Sequence, residues 1–253
     1  MNIVLIAEED VRPDGRVAIG GRRAHHIRTV LRAAAGDELR IGMIRGPLGL
    51  GRVVSVERGD AVLLEPAWRD AILEPPAIDL ILAMPRPKAL ARVLQTCACM
   101  GVRRIDIVNA WRVDRSYLAS PQLSADAVEL NLRLGCEQGG ITWVPEVAIH
   151  RLLMPFLRDS VRTRLAAGNT RAFIAHPRDA VPIERAYPQG GGDLCIIAAV
   201  GPERGWIDRE LASFVELGFV SVFLGNTVLR YETAVTALLA QLSLLRRFFC
   251  RAC

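Results

Sequence analysis

The spacing of apolar positions changes character once along the chain. Up to roughly residue 70, short alternating or apolar runs predict strands at Ile3–Ile6, Val17–Ile19, Glu38–Ile44, Gly51–Val56 and Ala61–Leu64. Asp14-Gly15, Gly36-Asp37 and Gly59-Asp60 punctuate them as turns. One helix interrupts the series, from Arg23 to Arg32, with Ala24, Ile27, Val30 and Leu31 as its apolar stripe. Strands this short and this close together predict a small barrel. Glu74-Pro75-Pro76 then breaks the pattern, and strands and helices alternate beyond it, as in a parallel α/β sheet. Strands are expected at Ile78–Ala83, Ile105–Val108, Ala172–Ala175, Cys195–Val200 and Val220–Leu224. Helices are expected at Lys88–Met100, Ser124–Gln138, Ile207–Leu217 and Tyr231–Phe249. The expected organisation is therefore an N-terminal barrel over residues 1–74 and an α/β domain over 75–253.

Composition narrows the class. A 253-residue chain with 51% hydrophobic and 23% charged residues has ample apolar material for a core. It contains no apolar run of the roughly 18 residues a membrane-spanning helix needs. The start, Met1-Asn2-Ile3-Val4-Leu5-Ile6, lacks a basic segment, and Glu8, Glu9 and Asp10 follow at once, so a soluble cytoplasmic protein is expected. Six cysteines in a chain of this length do not make a disulfide framework. Cys97, Cys99 and Cys195 read as buried thiols, and Cys250-x-x-Cys253 has no second pair to complete a zinc site. The adjacent pair His25-His26 diverges on a helix, and no metal site is expected.

The net charge of +5 gains meaning from where it lies. Nine arginines fall between Arg16 and Arg58 against Asp37, Glu38 and Glu57, and seven basic residues fall between Arg86 and Arg115 against Asp106 and Asp114. Lys88 is the only lysine. Arginine favours forked phosphate contacts and stacking on bases, so a polyanionic partner and a solvated basic surface are the two readings this distribution leaves.

Three predicted strands run into unusual loops: Ala175-His176-Pro177, Val200-Gly-Pro-Glu-Arg-Gly205 and Leu224-Gly-Asn-Thr-Val-Leu-Arg230. Ligands of parallel sheets sit outside the carboxyl ends of strands, so three such loops can converge on one site. Gly201, Gly205 and Gly225 permit close approach of backbone to a ligand, Glu203 and Glu232 supply carboxylates, and Arg230 supplies a fixed cation. The alternative is three ordinary strand-to-helix turns. No Gly-x-Gly-x-x-Gly opens a helix after a strand, and there is no P-loop, His-Glu-x-x-His or Gly-x-Ser-x-Gly. Gly190-Gly191-Gly192 precedes a strand and reads as a loop.

The last two loops, read through Leu224-Gly-Asn-Thr-Val-Leu-Arg-Tyr-Glu-Thr-Ala234, resemble the paired signatures of the RsmE-type 16S ribosomal RNA uridine N3-methyltransferases of the SPOUT superfamily. His26-Ile-Arg-Thr-Val-Leu-Arg32 with Gly36-Asp37 is similar to that family's N-terminal signature. Pro85-Arg-Pro-Lys88 through Met100-Gly-Val102, Glu137-Gln138, Val144-Pro-Glu146 and His176-Pro177 match in order, so the resemblance covers nearly the whole chain. Four places depart from the usual pattern. Arg204 stands where a glycine is usual, Asn226-Thr227 where Pro-Arg is usual, and Cys99-Met100-Gly101 where Glu-Leu-Gly is frequent, while Gly139-Gly140-Ile141 lacks a common arginine.

The resemblance implies a PUA-like RNA-binding barrel and a SPOUT α/β domain with a deep trefoil knot. It also implies S-adenosyl-L-methionine as cofactor, a homodimer, and methylation of N3 of a uridine in the 16S RNA of the small ribosomal subunit. Cofactor positions carried over by the motifs are His176, Pro177, Val200, Gly201, Glu203, Gly205, Leu224, Gly225, Val228 and Leu229. Arg230 and Glu232 match the positions nearest the reacting base, and their alternative role is an ion pair capping the last helix. Arg22, Arg23, Arg28, Arg32, Arg86, Lys88 and Arg204 are the candidate RNA contacts. Two other readings stand beside this one: a SPOUT enzyme for another ribosomal or transfer RNA position, and a catalytically silent RNA-binding assembly factor.

Overall fold

A computed structural model describes residues 2–56, 61–69, 76–190 and 194–249. The Gly59-Asp60 turn, Glu74-Pro75, Gly191-Gly192 and the Cys250/Cys253 pair lie outside the described residues. Two compact units emerge: Met1–Pro75 with Arg133–Val144, and Pro76–Leu132 with Pro145–Cys253.

In the first unit, strands β1 (Val4–Ile6), β2 (Val17–Ile19), β3 (Glu38–Met43), β4 (Leu48–Val56) and β5 (Val62–Trp68) form a curled sheet in the order β1-β3-β4-β5-β2. Helix α1 (Gly21–Thr29) contributes Ala24 and Ile27 to the core, with Val4, Ile6, Val17, Ile19, Ile41, Val53, Val62 and Leu64. The helix ends earlier than its apolar stripe predicts. The amides of Val30 and Leu31 both donate to the His26 carbonyl, and Arg32 then turns left-handed at φ +54°. Val30 and Leu31 are left exposed, so the stripe is Ala24 and Ile27 alone. A continuous N-terminal domain does not anticipate the return of residues 133–144. The amides of Asn2 and Ile3 donate to the Glu137 carbonyl at 2.9 and 3.2 Å, and Thr142 Oγ1 donates to the Gly46 carbonyl at 2.9 Å.

The second unit is built on seven parallel strands: β6 (Ile78–Ala83), β7 (Val102–Val108), β8 (Glu146–His150), β9 (Thr170–Ala175), β10 (Val181–Pro182), β11 (Cys195–Val200) and β12 (Val220–Phe223). Their order is β10-β12-β9-β11-β6-β7-β8. The helices are α2 (Pro87–Cys99), α3 (Ala125–Gly139), whose residues from Arg133 onward belong to the first unit, α4 (Leu153–Phe156) and α5 (Arg162–Ala166) joined by a π-helical turn, α6 (Ile183–Ala186), α7 (Asp208–Glu216) and α8 (Tyr231–Phe249). The α2 stripe Leu90, Val93, Leu94, Cys97 and Ala98 is fully buried, as its spacing predicts. Burial pushes the Cys97 thiol up to about 12, so it is inert near neutral pH. The strands missed by periodicity are β8 and β10, which lie at the two edges of the sheet. An edge strand with few inward positions carries little apolar signal, and no residue of β8 is fully buried.

Two carboxylates are buried on these central strands, Asp79 on β6 and Asp106 on β7. Asp79 accepts from Arg103 at 2.8 and 2.9 Å and from Arg164 at 3.1 Å. Asp106 accepts from Arg104 at 3.1 Å, from Arg164 at 2.9 Å, and is 2.8 Å from His150 Nε2. The Arg164 fork thus bridges both acids and ties α5 to the sheet, while His150 stacks on Phe156 at 4.0 Å. Removing one partner of a buried charge is expensive because the other is stranded. Arg164→Met is therefore expected to destabilise the protein by about 3 kcal/mol in urea unfolding. A loss under about 0.5 kcal/mol would show that Arg103, Arg104 and His150 satisfy both acids without it.

Candidate active site

The register of the parallel sheet brings the three loops together. Val200 on β11 lies opposite Ala175 on β9, and Ala175 lies opposite Val222 on β12. Three neighbouring strands therefore end level with one another, each about 5 Å from the next. Their loops line one cleft of about 630 Å³. All ten residues carried over as cofactor positions lie on it: His176, Pro177, Val200, Gly201, Glu203, Gly205, Leu224, Gly225, Val228 and Leu229. Arg230 and Glu232 lie on its wall as well.

Each loop is held from behind. The His176 amide donates to the Val222 carbonyl at 2.9 Å, which locks the end of β9 against β12. Its ring Nδ1 is 2.7 Å from the Arg178 carbonyl. The Leu224 carbonyl accepts from Gln241 Nε2 of α8 at 2.8 Å. In the middle loop the Gly205 amide closes a turn onto the Pro202 carbonyl at 2.7 Å, and Gly205 takes φ +71°, where a side chain would be strained. Arg204 is not among the residues with positive φ, so the glycine it replaces is not needed for backbone conformation. Its side chain is exposed and outside the cleft lining, while its carbonyl accepts from Arg112 at 2.6 Å.

Trp206 and Tyr231, to which the motifs assign no role, also lie on the cleft wall. Trp206 is buried against Phe214, with ring centroids 5.0 Å apart, and its indole N–H has no hydrogen-bond partner among the described residues. The sequence signal for it is a single aromatic just past the glycine turn. Tyr231 donates from its hydroxyl to the Ala83 carbonyl at 2.6 Å, linking the start of α8 to the end of β6. Burial pushes its phenol well above the usual tyrosine range, so the hydroxyl stays a donor.

Arg230 is exposed and Glu232 half-buried at the start of α8. Neither side chain has an ion-pair partner among the described residues, so the capping ion pair does not form. A carboxylate in a helix's first turn is favoured by the helix dipole without such a pair. Glu203 faces the same cleft, accepting from the Arg86 amide at 3.2 Å, with the Arg86 guanidinium 3.8 Å away. Arg86 therefore lines the cleft, and Lys88 is exposed one residue into α2.

The candidate RNA contacts of the first unit lie on or just after α1. Arg23 forks onto Asp10 at 2.6 and 2.7 Å and donates to the Leu5 carbonyl at 2.6 Å, and Arg22 reaches Glu137 at 2.7 Å. Both hold that unit together. Arg32 is exposed and Arg28 half-buried.

Gly201 is required by its neighbour. A Cβ there would lie 2.9 Å from Trp206 Nε1 and 3.0 Å from its Cδ1. Trp206 is only 4% exposed and cannot retreat freely. Gly201→Ala is expected to destabilise the fold by about 1–3 kcal/mol and to shift the tryptophan emission. Unchanged thermal unfolding and emission would show that the indole has room to move.

A family model described as an RNA methyltransferase domain matches residues 73–243, and one described as an RNA methyltransferase PUA domain matches 19–65. The ribosomal RNA small subunit methyltransferase E of Treponema pallidum is 30% identical over 94% of this chain and 88% of its own length. That of Synechocystis is 26% identical over 96% of this chain and 77% of its own. Among solved structures, a methyltransferase of Legionella pneumophila in complex with S-adenosylmethionine superposes with TM-score 0.75 at 23% identity, covering 98% of both chains. The ribosomal RNA small subunit methyltransferase E of Neisseria gonorrhoeae, bound to S-adenosylmethionine, does so with TM-score 0.75 at 22% identity, over 96% of this chain and 98% of its own. With its motif loops gathered on one cleft and a family model spanning most of its length, this chain belongs to the ribosomal RNA small subunit methyltransferase E family of RNA methyltransferases.

Proposed function

We propose that the protein transfers the methyl group of S-adenosyl-L-methionine to N3 of a uridine in the 16S RNA of the small ribosomal subunit. The observation that carries this reading is the convergence of ten motif residues from three separated loops on one cleft. The residues on that cleft suit the cofactor. The unpartnered indole N–H of Trp206 offers a donor, Val228 offers an aliphatic face that is 85% exposed, and Glu203 offers a carboxylate for a cationic ligand. Main-chain groups around Gly201, Gly205 and Gly225 would grip the rest. When bound, S-adenosylmethionine supplies an electrophilic methyl group on a sulfonium.

The chain's own residues then have defined tasks. Neutral uridine carries a proton on N3, and its removal spreads negative charge to O2 and O4. Arg230, on the cleft wall with no carboxylate partner among the described residues, would stabilise that charge. Glu232 orients the base or takes the proton. The cleft walls fix the base against the methyl donor, which contributes through proximity. On the first unit Arg32 and Arg28, and on the second Lys88 and Arg204, are each proposed as phosphate contacts, while Arg22 and Arg23 make the structural pairs described above.

The same reading includes a PUA-like barrel around residues 1–74, a knotted trefoil path in the 75–253 domain, a homodimer and a cytoplasmic location. Leu244 and Phe248 on α8, 56% and 77% exposed, support association through that helix. No described helix is long and apolar enough to cross a membrane.

Calorimetry with S-adenosylmethionine and mass spectrometry of ribosomal RNA from a deletion strain test the reading together. Binding of the cofactor and loss of one methylated uridine from 16S RNA are expected. Loss of a methyl from another RNA, or absence of cofactor binding, would overturn it. Arg230→Ala is expected to lower kcat about a hundredfold with cofactor affinity nearly unchanged. Equal loss of affinity would place Arg230 in the cofactor subsite instead.

Arg204→Gly is expected to weaken RNA binding, most visibly at low salt, and to leave cofactor affinity intact. A tenfold loss of cofactor affinity, about 1.4 kcal/mol, with RNA binding unaltered would show the opposite placement.

A further inference from the structure

The loop after β7 carries an aromatic side chain that the reaction described above does not use. Within residues 109–114 the inward positions go to Ala110 and Val113, both buried, and the indole of Trp111 points outward at 79% exposure. Because β7 is parallel to β6 and β6 to β11, this loop leaves the sheet at the same carboxyl edge as the cleft loops. It is stapled to one of them at two points. The Trp111 amide donates to Glu210 Oε1 at 2.8 Å, and the other oxygen of that buried carboxylate accepts from the Ile207 amide at 3.1 Å. Arg112 donates to the Arg204 carbonyl at 2.6 Å. The Val113 amide closes a turn onto the Ala110 carbonyl at 3.0 Å, and Asp114 caps the following helical turn through the Ser116 amide at 2.9 Å.

An exposed tryptophan on a mobile loop would lose entropy on stacking, whereas this one is presented on a backbone already fixed. Arg112 and Arg115 flank it in sequence, Arg204 lies on the loop to which it is stapled, all three are exposed, and no carboxylate pairs with the Arg204 or Arg115 guanidinium among the described residues. An aromatic platform beside cationic side chains matches the chemistry of single-stranded RNA, with an unpaired base on the ring and phosphates on the arginines.

We propose that Trp111 is a base-stacking residue, receiving an unpaired nucleotide of the RNA beside the one held in the cleft. This rests on the RNA-methylating function proposed above. Stacking is tolerant of base identity, so Trp111 supplies affinity and register, and the cleft supplies the choice of the reacting base.

The test compares wild type, Trp111→Ala and Trp111→Phe as full-length proteins with a 16S RNA transcript. Trp111→Ala is expected to raise Kd and KM about tenfold, the loss of one stacked base, with kcat and S-adenosylmethionine affinity unchanged. Trp111→Phe is expected to recover most of that loss. The slope of log Kd against log salt should be the same in all three, because no phosphate contact is removed. RNA should quench a red-shifted component of the wild-type tryptophan emission that both variants lack. If the wild type binds RNA and methylates it while Trp111→Ala matches it in Kd and quenching, the stacking role falls and the enzymatic reading stands. A wild type that binds no RNA overturns both. A change in oligomeric state of Trp111→Ala by light scattering would assign the indole to a protein interface and overturn the proposal.

Discussion

The parallel alignment of β9, β11 and β12 at one level is the constraint on which the cleft depends. Residues near 176, 203 and 228 are about 25 positions apart in sequence, and nothing local brings them together. Adjacent parallel strands paired Val200 to Ala175 and Ala175 to Val222 leave all three chains leaving the sheet side by side. A parallel ladder orients every carboxyl end the same way, so each loop adds to the same wall. The loops then need only short anchors: the His176 amide on Val222, the Leu224 carbonyl on Gln241, and the Gly205 turn on Pro202. Tyr231 adds a fourth from α8 to the end of β6, and its raised ionisation range keeps that donor in place at any physiological pH.

The sheet in turn has to be stiff where it is least apolar. Asp79 and Asp106 sit on its two strands β6 and β7 with almost no exposure, a position that an unpaired carboxylate could not hold. Three guanidiniums and an imidazole surround them, and Arg164 serves both. Such a cluster contributes little net stability compared with apolar packing, and its value lies in register. The Arg164 fork accepts one relative position of β6 and β7, and a strand slip would strand two charges at once. The register that levels the cleft loops starts from these same strands, since β11 pairs with β6.

How far the sequence revealed this follows the strength of its periodic signals. Leu90, Val93, Leu94, Cys97 and Ala98 marked α2 and its buried face, and the apolar runs of β6 and β11 marked the sheet's centre. The edge strand β8 is hidden because half-buried Val147 and Ala148 and exposed Ile149 carry no alternation. The end of α1 was misplaced because Val30 and Leu31 fit the helical spacing, whereas the left-handed turn at Arg32 leaves no signature in a sequence. The return of residues 133–144 to the first unit was equally invisible, since it depends on long-range bonds such as Arg22 to Glu137. The cleft residues were legible through motif spacing. Trp206 and Trp111 were not, because one buried and one exposed tryptophan look alike in a linear sequence.

Arg204 shows why a departure from a motif need not disturb the site it belongs to. A glycine matters for conformation only where φ is positive or where a Cβ has no room. In the turn from Pro202 to Gly205 both requirements fall on other residues. Gly205 takes the left-handed conformation, and Gly201 makes way for the Trp206 ring. Arg204 occupies a central turn position with ordinary φ, its carbonyl anchored by Arg112 and its side chain free of the cleft. The backbone that shapes the cleft is therefore indifferent to the side chain at this position. What Arg204 adds is an exposed cation beside the loop that presents Trp111, so it changes the surface outside the cleft and leaves the cleft backbone as the other glycines set it.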